Sequence, residues 1–275
     1  MRSLLRHALS LGLLLSPLAA QAGTARDPCQ APDDVAGAVA ALPKVAAVLK
    51  PGNTLHILGI GSATMFGPDA SLTPGTLTSQ AATPAAPIAP PAARPIAAEA
   101  SDKAFPKQMA KALQAAVPGI QVDITIRGGR GMTAAEMLPL LKHELAGNHY
   151  QLVLWQTGTV EAVRNSPPGD FAQVLADGAE AIEAAGANLV LVDSQYSRFL
   201  QTNSNLDPYT QALQQIASMP GVMLFHRFDL MRAWATDGQI DLERTPKPDR
   251  KRVADVLHAC IGAHLARVVL AGARS

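Results

Sequence analysis

The chain has 275 residues, with 23 Lys and Arg against 22 Asp and Glu and a formal net charge of +1. That near balance leaves no basic stripe for nucleic acid and no acidic tail, and an aromatic content of only 4% argues against a groove of stacking rings. No His, Cys, Asp and Glu cluster has metal-ligand spacing, so neither a metal nor a cofactor is expected.

Residues 1–22 read as a secretory signal. Arg2 and Arg6 supply the positive start, Leu9 to Leu15 the short apolar core, and Ala20-Gln21-Ala22 the small-residue cleavage site before Gly23. The apolar core is too short to span a bilayer, and no later segment reads as long and apolar enough to do so. The expectation is a periplasmic or secreted chain of about 250 residues, ample for one domain. In an oxidising compartment Cys29 and Cys260 are the natural disulfide pair, tying the N-terminal segment to the last helix; two buried thiols are the alternative.

Asp33 to Leu49 is rich in Ala and Val and suggests one or two helical turns, with Pro43 inside, before Pro51-Gly52-Asn53 breaks the chain. Thr54 to Ile60 reads as the first buried strand, with a glycine-rich turn at its end. Residues 68 to about 101 carry Pro74, Pro84, Pro87, Pro90, Pro91 and Pro95 among Ala, Thr and Ser. They read as a disordered or polyproline-like insertion within the domain, either a flap over a site or a tolerated surface loop. Helix is expected over Lys103–Val117, strand over Gln121–Arg127 and helix over Thr133–Leu145. Thr133 and Glu136 suit a capping box there, against which Pro139 counts, since a proline deep in a helix costs about 3 kcal/mol. Strand follows at Gln151–Gln156, then a helical stripe of Phe171, Val174, Leu175 and Ile182 that stops at Gly186. Asn188–Val192 (strand), Asp207–Ser218 (helix), Val222–Phe225 (strand) and Asp249–Leu270 (helix) complete the series. Five short apolar strands alternating with helices imply an α/β fold: a three-layer α/β/α sandwich with a five-stranded parallel sheet, flavodoxin-like in layout. Its site should sit at the carboxyl ends of the strands.

Those strand ends read Gly61-Ser62-Ala63-Thr64-Met65-Phe66-Gly67, Arg127-Gly128-Gly129-Arg130-Gly131-Met132-Thr133 and Trp155-Gln156-Thr157-Gly158-Thr159-Val160-Glu161, with Asp241-Leu242-Glu243-Arg244 near the C-terminus. Their order and spacing resemble the SGNH (GDSL-type) hydrolases. Leu152 to Thr159, Val192 to Tyr196 and Phe225 to Arg232 look like an exported bacterial branch of that family. The resemblance implies acyl transfer to water. A serine after the first strand attacks an ester, backbone and asparagine donors hold the oxyanion, and an Asp-x-x-His supplies the base and its orienting carboxylate. Anchoring on Gly61 and Gly67 places Ala63 at the nucleophile and Ser62 in the slot before it. The oxyanion glycine falls on Gly131, the oxyanion asparagine on Val160, and Asp-x-x-His on Asp241 and Arg244. Alanine has no nucleophile, valine cannot donate, and arginine stays protonated. A one-residue slip makes Ser62 the nucleophile but restores neither the asparagine nor the histidine.

Other histidines offer little in their place. On a helical wheel Val253, Leu257, Cys260, Ile261 and Val268 form one stripe, leaving Asp255 and His258 as a solvent-facing pair. His264 reads as a satisfied core histidine, His56 as packing within the first strand, and His143 and His149 as loop flanks. His226 ends a strand and could approach the site, although a structural role is the simpler reading. Arg127, Arg130 and Arg244, with Asp241 and Glu161, could form a charged cleft suited to carboxylate or phosphate; equally, Arg244 could pair with Asp241 or Glu161 and seal it. Gly128, Gly129 and Gly131 lack the lysine and serine of a phosphate loop. The expectation is an exported protein of SGNH type with degenerate catalytic blocks, binding an acylated glycan or a partner protein through the former cleft. The alternative is a working serine esterase or O-deacetylase, acting on cell-envelope polysaccharide or small esters through Ser62 and Gly131 with His226 or His258 as base. Substrate and oligomeric state are not legible.

Overall fold

The computed structural model describes residues 27–32, 35, 39–69 and 99–275. The signal-like segment and residues 70–98 of the Pro/Ala-rich insertion lie outside the described residues. In chain order the elements are α1 (Pro43–Val48), β1 (Thr54–Gly61), a 3-10 turn (Ala63–Phe66), α2 (Phe105–Ala116), β2 (Gln121–Gly128), α3 (Ala134–Gly147), β3 (Leu152–Gln156), α4 (Thr159–Arg164) and α5 (Pro168–Ala184). Then come β4 (Asn188–Val192), α6 (Arg198–Asn203), α7 (Asp207–Ile216), β5 (Val222–Phe225), α8 (Arg227–Thr236), a second 3-10 turn (Lys247–Asp249) and α9 (Arg250–Gly272).

The sheet is parallel throughout, in the order β2-β1-β3-β4-β5. Every residue of β3, β4 and β5 is buried. Helices cover both faces of the sheet, so these strands are continuous apolar runs rather than alternating ones. Side chains one residue apart enter opposite cores. Ile57 packs with Phe105, Met109 and Ile261 of the α2/α9 layer, and Leu58 with Met137, Leu175 and Leu213 of the α3/α5/α7 layer. Two glycines set how closely the layers approach. A Cβ on Gly178 of α5 would lie 2.1 Å from Cζ3 of Trp155, and one on Gly262 of α9 would lie 2.8 Å from the Met109 amide nitrogen of α2.

The Thr133–Glu136 capping box forms, and α3 starts where it dictates, despite Pro139 inside the helix. The proline removes one backbone donor. Against that stand the box, a further hydrogen bond from the Ala134 amide to Glu161, and the burial of Met137 and Leu141. Pro43 opens α1 at its first turn, where its missing donor costs nothing.

Cys29 and Cys260 are joined in a disulfide, which fits an extracellular or periplasmic location. The segment around Cys29 is strapped to the helical layer. Trp234 Nε1 donates to the Gln30 carbonyl at 3.0 Å, and His264 Nε2 lies 2.6 Å from the Cys29 carbonyl oxygen. His264 is thus the satisfied core histidine expected. Two expectations fail here. Lys247–Gly272 is long and apolar enough to cross a membrane, with a mean hydropathy of 1.5, but 61% of its most apolar window is buried and α9 packs along α2 as a core helix. His56 does not pack inward. Its side chain is 45% exposed, beside Asp123 on the neighbouring edge strand, because β1 meets the thinly covered β2 on that side.

Candidate functional site

The carboxyl ends of β1, β3, β4 and β5 bring Ser62, Gln156, Asp193 and Arg227 into one polar layer. Ser62 follows the last residue of β1 and is 9% exposed. Its hydroxyl and its amide both donate to Gln156 Oε1, each at 3.1 Å, and the Thr64 hydroxyl donates to the same oxygen at 3.3 Å. Glycine at 61 makes this possible, since a Cβ there would stand 2.9 Å from Gln156 Oε1. Behind Thr64, Arg227 Nη1 donates to its hydroxyl oxygen at 3.0 Å.

An amide oxygen holds a hydroxyl in place but does not take its proton at neutral pH. Among the described residues, no histidine or carboxylate accepts a hydrogen bond from Ser62. Ala63, in the 3-10 turn, offers only a methyl group. Val160 is the second residue of α4, and its side chain has no donor to offer. Gly131 keeps a backbone conformation that favours glycine, with φ +74°, and a Cβ there would lie 3.7 Å from the Arg164 guanidinium.

Asp241 is engaged by a residue that the sequence did not single out. Arg198 of α6 forks onto it, Nη1 to Oδ1 at 3.1 Å and Nη2 to Oδ2 at 2.8 Å, and also reaches Glu243 at 3.3 Å. Burial alone would raise the Asp241 carboxyl, but the hydrogen bonds from Arg198 and the Arg244 amide, with both arginine charges, hold it below the usual carboxylate value. Arg244 itself stands 3.8 Å away with its side chain 76% exposed, so the closure of Asp241 is mainly the work of Arg198.

The expected charged cleft does not assemble from the residues proposed for it. Arg127 turns to Glu144 of α3 at 2.6 Å. Arg130 is exposed in the turn between β2 and α3. Glu161 is 2% exposed and accepts from Ala134 N, from the Thr157 hydroxyl at 3.0 Å and from Gly158 N at 2.9 Å. It ties the start of α3 to the turn after β3 and, among the described residues, pairs with no arginine, because the Ala134 and Gly158 amides and the Thr157 hydroxyl take up its oxygens.

His258 overturns another expectation. It is 2% exposed, because α2 covers the side of α9 that the apolar stripe left open. Its Nδ1 accepts from the Phe105 amide at 3.2 Å, and burial followed by the nearby Arg227 charge drives its pKa down to about 3. Asp255 sits beside it and bonds to Lys103. His226 lies between two carboxylates, its Nδ1 3.9 Å from Asp193 Oδ2 and 3.8 Å from Asp229 Oδ2.

Asp193 and Arg227 are the deepest charged residues of this layer, at 3% and 1% exposure. Asp193 Oδ1 accepts from the Phe228 amide at 2.9 Å and so helps to cap α8. Burial raises its pKa to about 7 and lowers that of Arg227 to about 10. Among the described residues, Nε and Nη2 of Arg227 have no hydrogen-bond partner. On the outer side of Asp193 a polar pocket of about 370 Å³ is lined by Ser194, Asp207, Phe228 and Asp229, among others. Gln156, Asp193, Arg198 and Arg227 were missed as functional candidates. The available signal was position, since Gln156 ends β3 and Asp193 and Arg227 lie just past β4 and β5.

A model of the non-GDSL lipase-like family matches residues 28–275. A search of curated proteins found no significant match. Among solved structures, the chain is similar to a two-domain esterase (CEX) active on acetylated mannans, with a TM-score of 0.56 and 11% identity over 86% of this chain and 54% of that one. It is also similar to a mutant of Axe2, an acetyl-xylooligosaccharide esterase from Geobacillus Stearmophilus, with a TM-score of 0.51 and 12% identity over 82% of this chain and 96% of that one. At such identities the structural likeness speaks to the fold, whereas the family match spans nearly the whole chain. The chain belongs to the non-GDSL lipase-like family and carries the SGNH hydrolase fold.

Proposed function

We propose that this protein is an exported, catalytically degenerate member of its family that binds an acylated glycan through the former active-site cleft. One observation carries the reading: Gln156 Oε1 takes the hydroxyl and the amide of Ser62 together, where a hydrolase needs a base and a free oxyanion donor. The Arg198 fork on Asp241 supports it, since a carboxylate committed to two arginines does not orient a histidine. The glycan assignment draws on the polar pocket beyond Asp193 and on the acetylated sugars named for the two similar esterases. Export draws on the N-terminal segment and the disulfide.

A second reading has one observation in its favour. His226, set between Asp193 and Asp229, has the oriented look of a general base, and Ser62 would then be the nucleophile of a working esterase. A fluorophosphonate probe and p-nitrophenyl acetate, applied beside a Ser62→Ala variant, separate the two. The degenerate reading expects no labelling above a denatured control. Labelling and turnover that vanish in the variant would sink it. Calorimetric titration with acetylated and deacetylated manno-oligosaccharides then tests the ligand; equal or absent heats for both would refute acyl-glycan binding.

A further inference from the structure

The sheet ends at β2, an eight-residue strand with no proline, whose burial is partial at best along its whole length. The Gln121 amide donates to Asn53 and the Gly129 amide to Gly61, both towards β1. Backbone groups alternate sides along a strand, so the N–H and C=O of Val122, Ile124 and Ile126 point away from the sheet. Among the described residues the one hydrogen bond to these groups is local, from Arg127 Nη1 to the Ile126 carbonyl at 3.3 Å, an exposed contact that a partner strand would replace. An unpaired edge of this kind templates strand addition unless it is blocked by charge, proline or a bulge.

Here the charges are ordered in a way that blocks nothing. Asp123-Ile124-Thr125-Ile126-Arg127 is antisymmetric in charge and symmetric in everything else about Thr125. An antiparallel partner with the same sequence, centred on Thr125, sets Asp123 opposite Arg127 twice, Ile124 opposite Ile126 twice and Thr125 opposite itself. Because the even-numbered groups point outwards, the Ile124–Ile126 pairs carry the backbone hydrogen bonds. The Asp123–Arg127 and Thr125–Thr125 pairs fall at non-hydrogen-bonded positions, where side chains approach most closely. Both charges are available, Asp123 at 67% and Arg127 at 48% side-chain exposure. Their neighbours within the chain, His56 at 3.6 Å and Glu144 at 2.6 Å, face them from β1 and α3, and Arg127 Nη1 also donates to the outward Ile126 carbonyl at 3.3 Å, a contact that strand pairing would exchange for the partner's. We propose that two copies of this chain associate through antiparallel pairing of β2 about Thr125, making one continuous ten-stranded sheet with a two-fold axis at that residue. A shift of one residue in register would oppose Asp123 to Ile126 and lose both charge pairs, so the pattern selects this alignment. The inference is independent of what the cleft binds.

Sedimentation velocity at about 100 μM, a hundredfold above a micromolar Kd, tests association. The expected species is a dimer, and a monomer at that concentration overturns the proposal. Asp123→Arg opposes arginine to arginine at both ends and should weaken the dimer by at least about tenfold, and adding Arg127→Asp to it should restore the pairing. A dimer indifferent to Asp123→Arg places the interface elsewhere. Thr125→Cys guards against variants that fold poorly, because it nearly keeps the size of the side chain, losing only the hydroxyl's hydrogen bond with Tyr150, and puts one thiol from each copy on the axis. Mild oxidation should give a covalent dimer for Thr125→Cys and none for Gln121→Cys, which lies far from its own mate. Equal cross-linking of the two refutes the register.

Discussion

Two buried groups on either side of Arg227 should pull the pH dependence of stability in opposite directions. His258 has a pKa of about 3 in the fold against an ordinary 6.5. Below pH 6.5 the unfolded chain therefore takes up a proton that the folded chain refuses, and stability is lost as pH falls. Asp193 has a pKa of about 7 in the fold against 3.8. Between those values the folded chain keeps a proton that the unfolded chain releases, so stability is lost as pH rises. Each slope is about 1.4 kcal/mol per pH unit, and between about pH 4 and 6.5 the two cancel. Asp193→Asn keeps an acceptor for the Phe228 amide and removes one slope; His258→Asn keeps an acceptor for the Phe105 amide and removes the other. Urea unfolding followed by the fluorescence of Trp155 and Trp234, both fully buried, reads the result at pH 4.5, 5.5 and 6.5. Relative to wild type, Asp193→Asn should lose about 3 kcal/mol over those two units of acidification and His258→Asn should gain about as much. The double variant should run parallel to wild type. Single variants parallel to wild type would refute the buried placement of both groups.

Three further expectations follow from packing and tethering. Gly178→Ala drives a methyl group into the Trp155 ring and should cost about 1–3 kcal/mol in thermal unfolding; an unchanged melting temperature contradicts the α5–sheet contact. Cys29→Ser with Cys260→Ser opens a covalent loop whose ends are 231 residues apart and should lower stability by about 2–4 kcal/mol, whereas melting indifferent to both changes would mean that the strap holds without its bond. Glu161→Ala leaves the Ala134 and Gly158 amides buried and unpaired and should cost about 3 kcal/mol, clearly more than Thr133→Ala at about 1 kcal/mol; equal losses would show that Glu161 is dispensable to the start of α3.

The strands were legible because a parallel sheet buries both faces, so Leu152–Gln156 and Asn188–Val192 read as short apolar runs bounded by polar residues. α5 was legible from its stripe, and α7 was placed as a helix over Asp207–Ser218; both end within a few residues of where the sequence placed them. α4, α6 and α8 were not. They start at or shortly after strand ends, run six to ten residues, and α8 is capped by Asp193, 35 positions away from the amide it serves. The site divides the same way. Resemblance located the segments, but its residue roles depend on partners set by tertiary packing. Ser62 meets Gln156 across 94 positions, and Asp241 meets Arg198 across 43. A helical wheel could not show that α2 would lie over His258, because the wheel knows one helix and burial needs two.

Under the degenerate reading proposed above, the shared oxygen of Gln156 also bears on how the cleft could be given catalytic groups. Substitutions at Ala63, Val160 and Arg244 would supply the groups that the family resemblance assigns to those positions, yet the turn after β1 would still be latched to β3 through one acceptor serving three donors. Releasing that latch leaves the Ser62 amide, the Ser62 hydroxyl and the Thr64 hydroxyl seeking new partners at once, with Arg227 leaning on the last of them. Ser62, Thr64, Gln156 and Arg227 therefore form one four-residue circuit, in which a change at any member is felt by the other three.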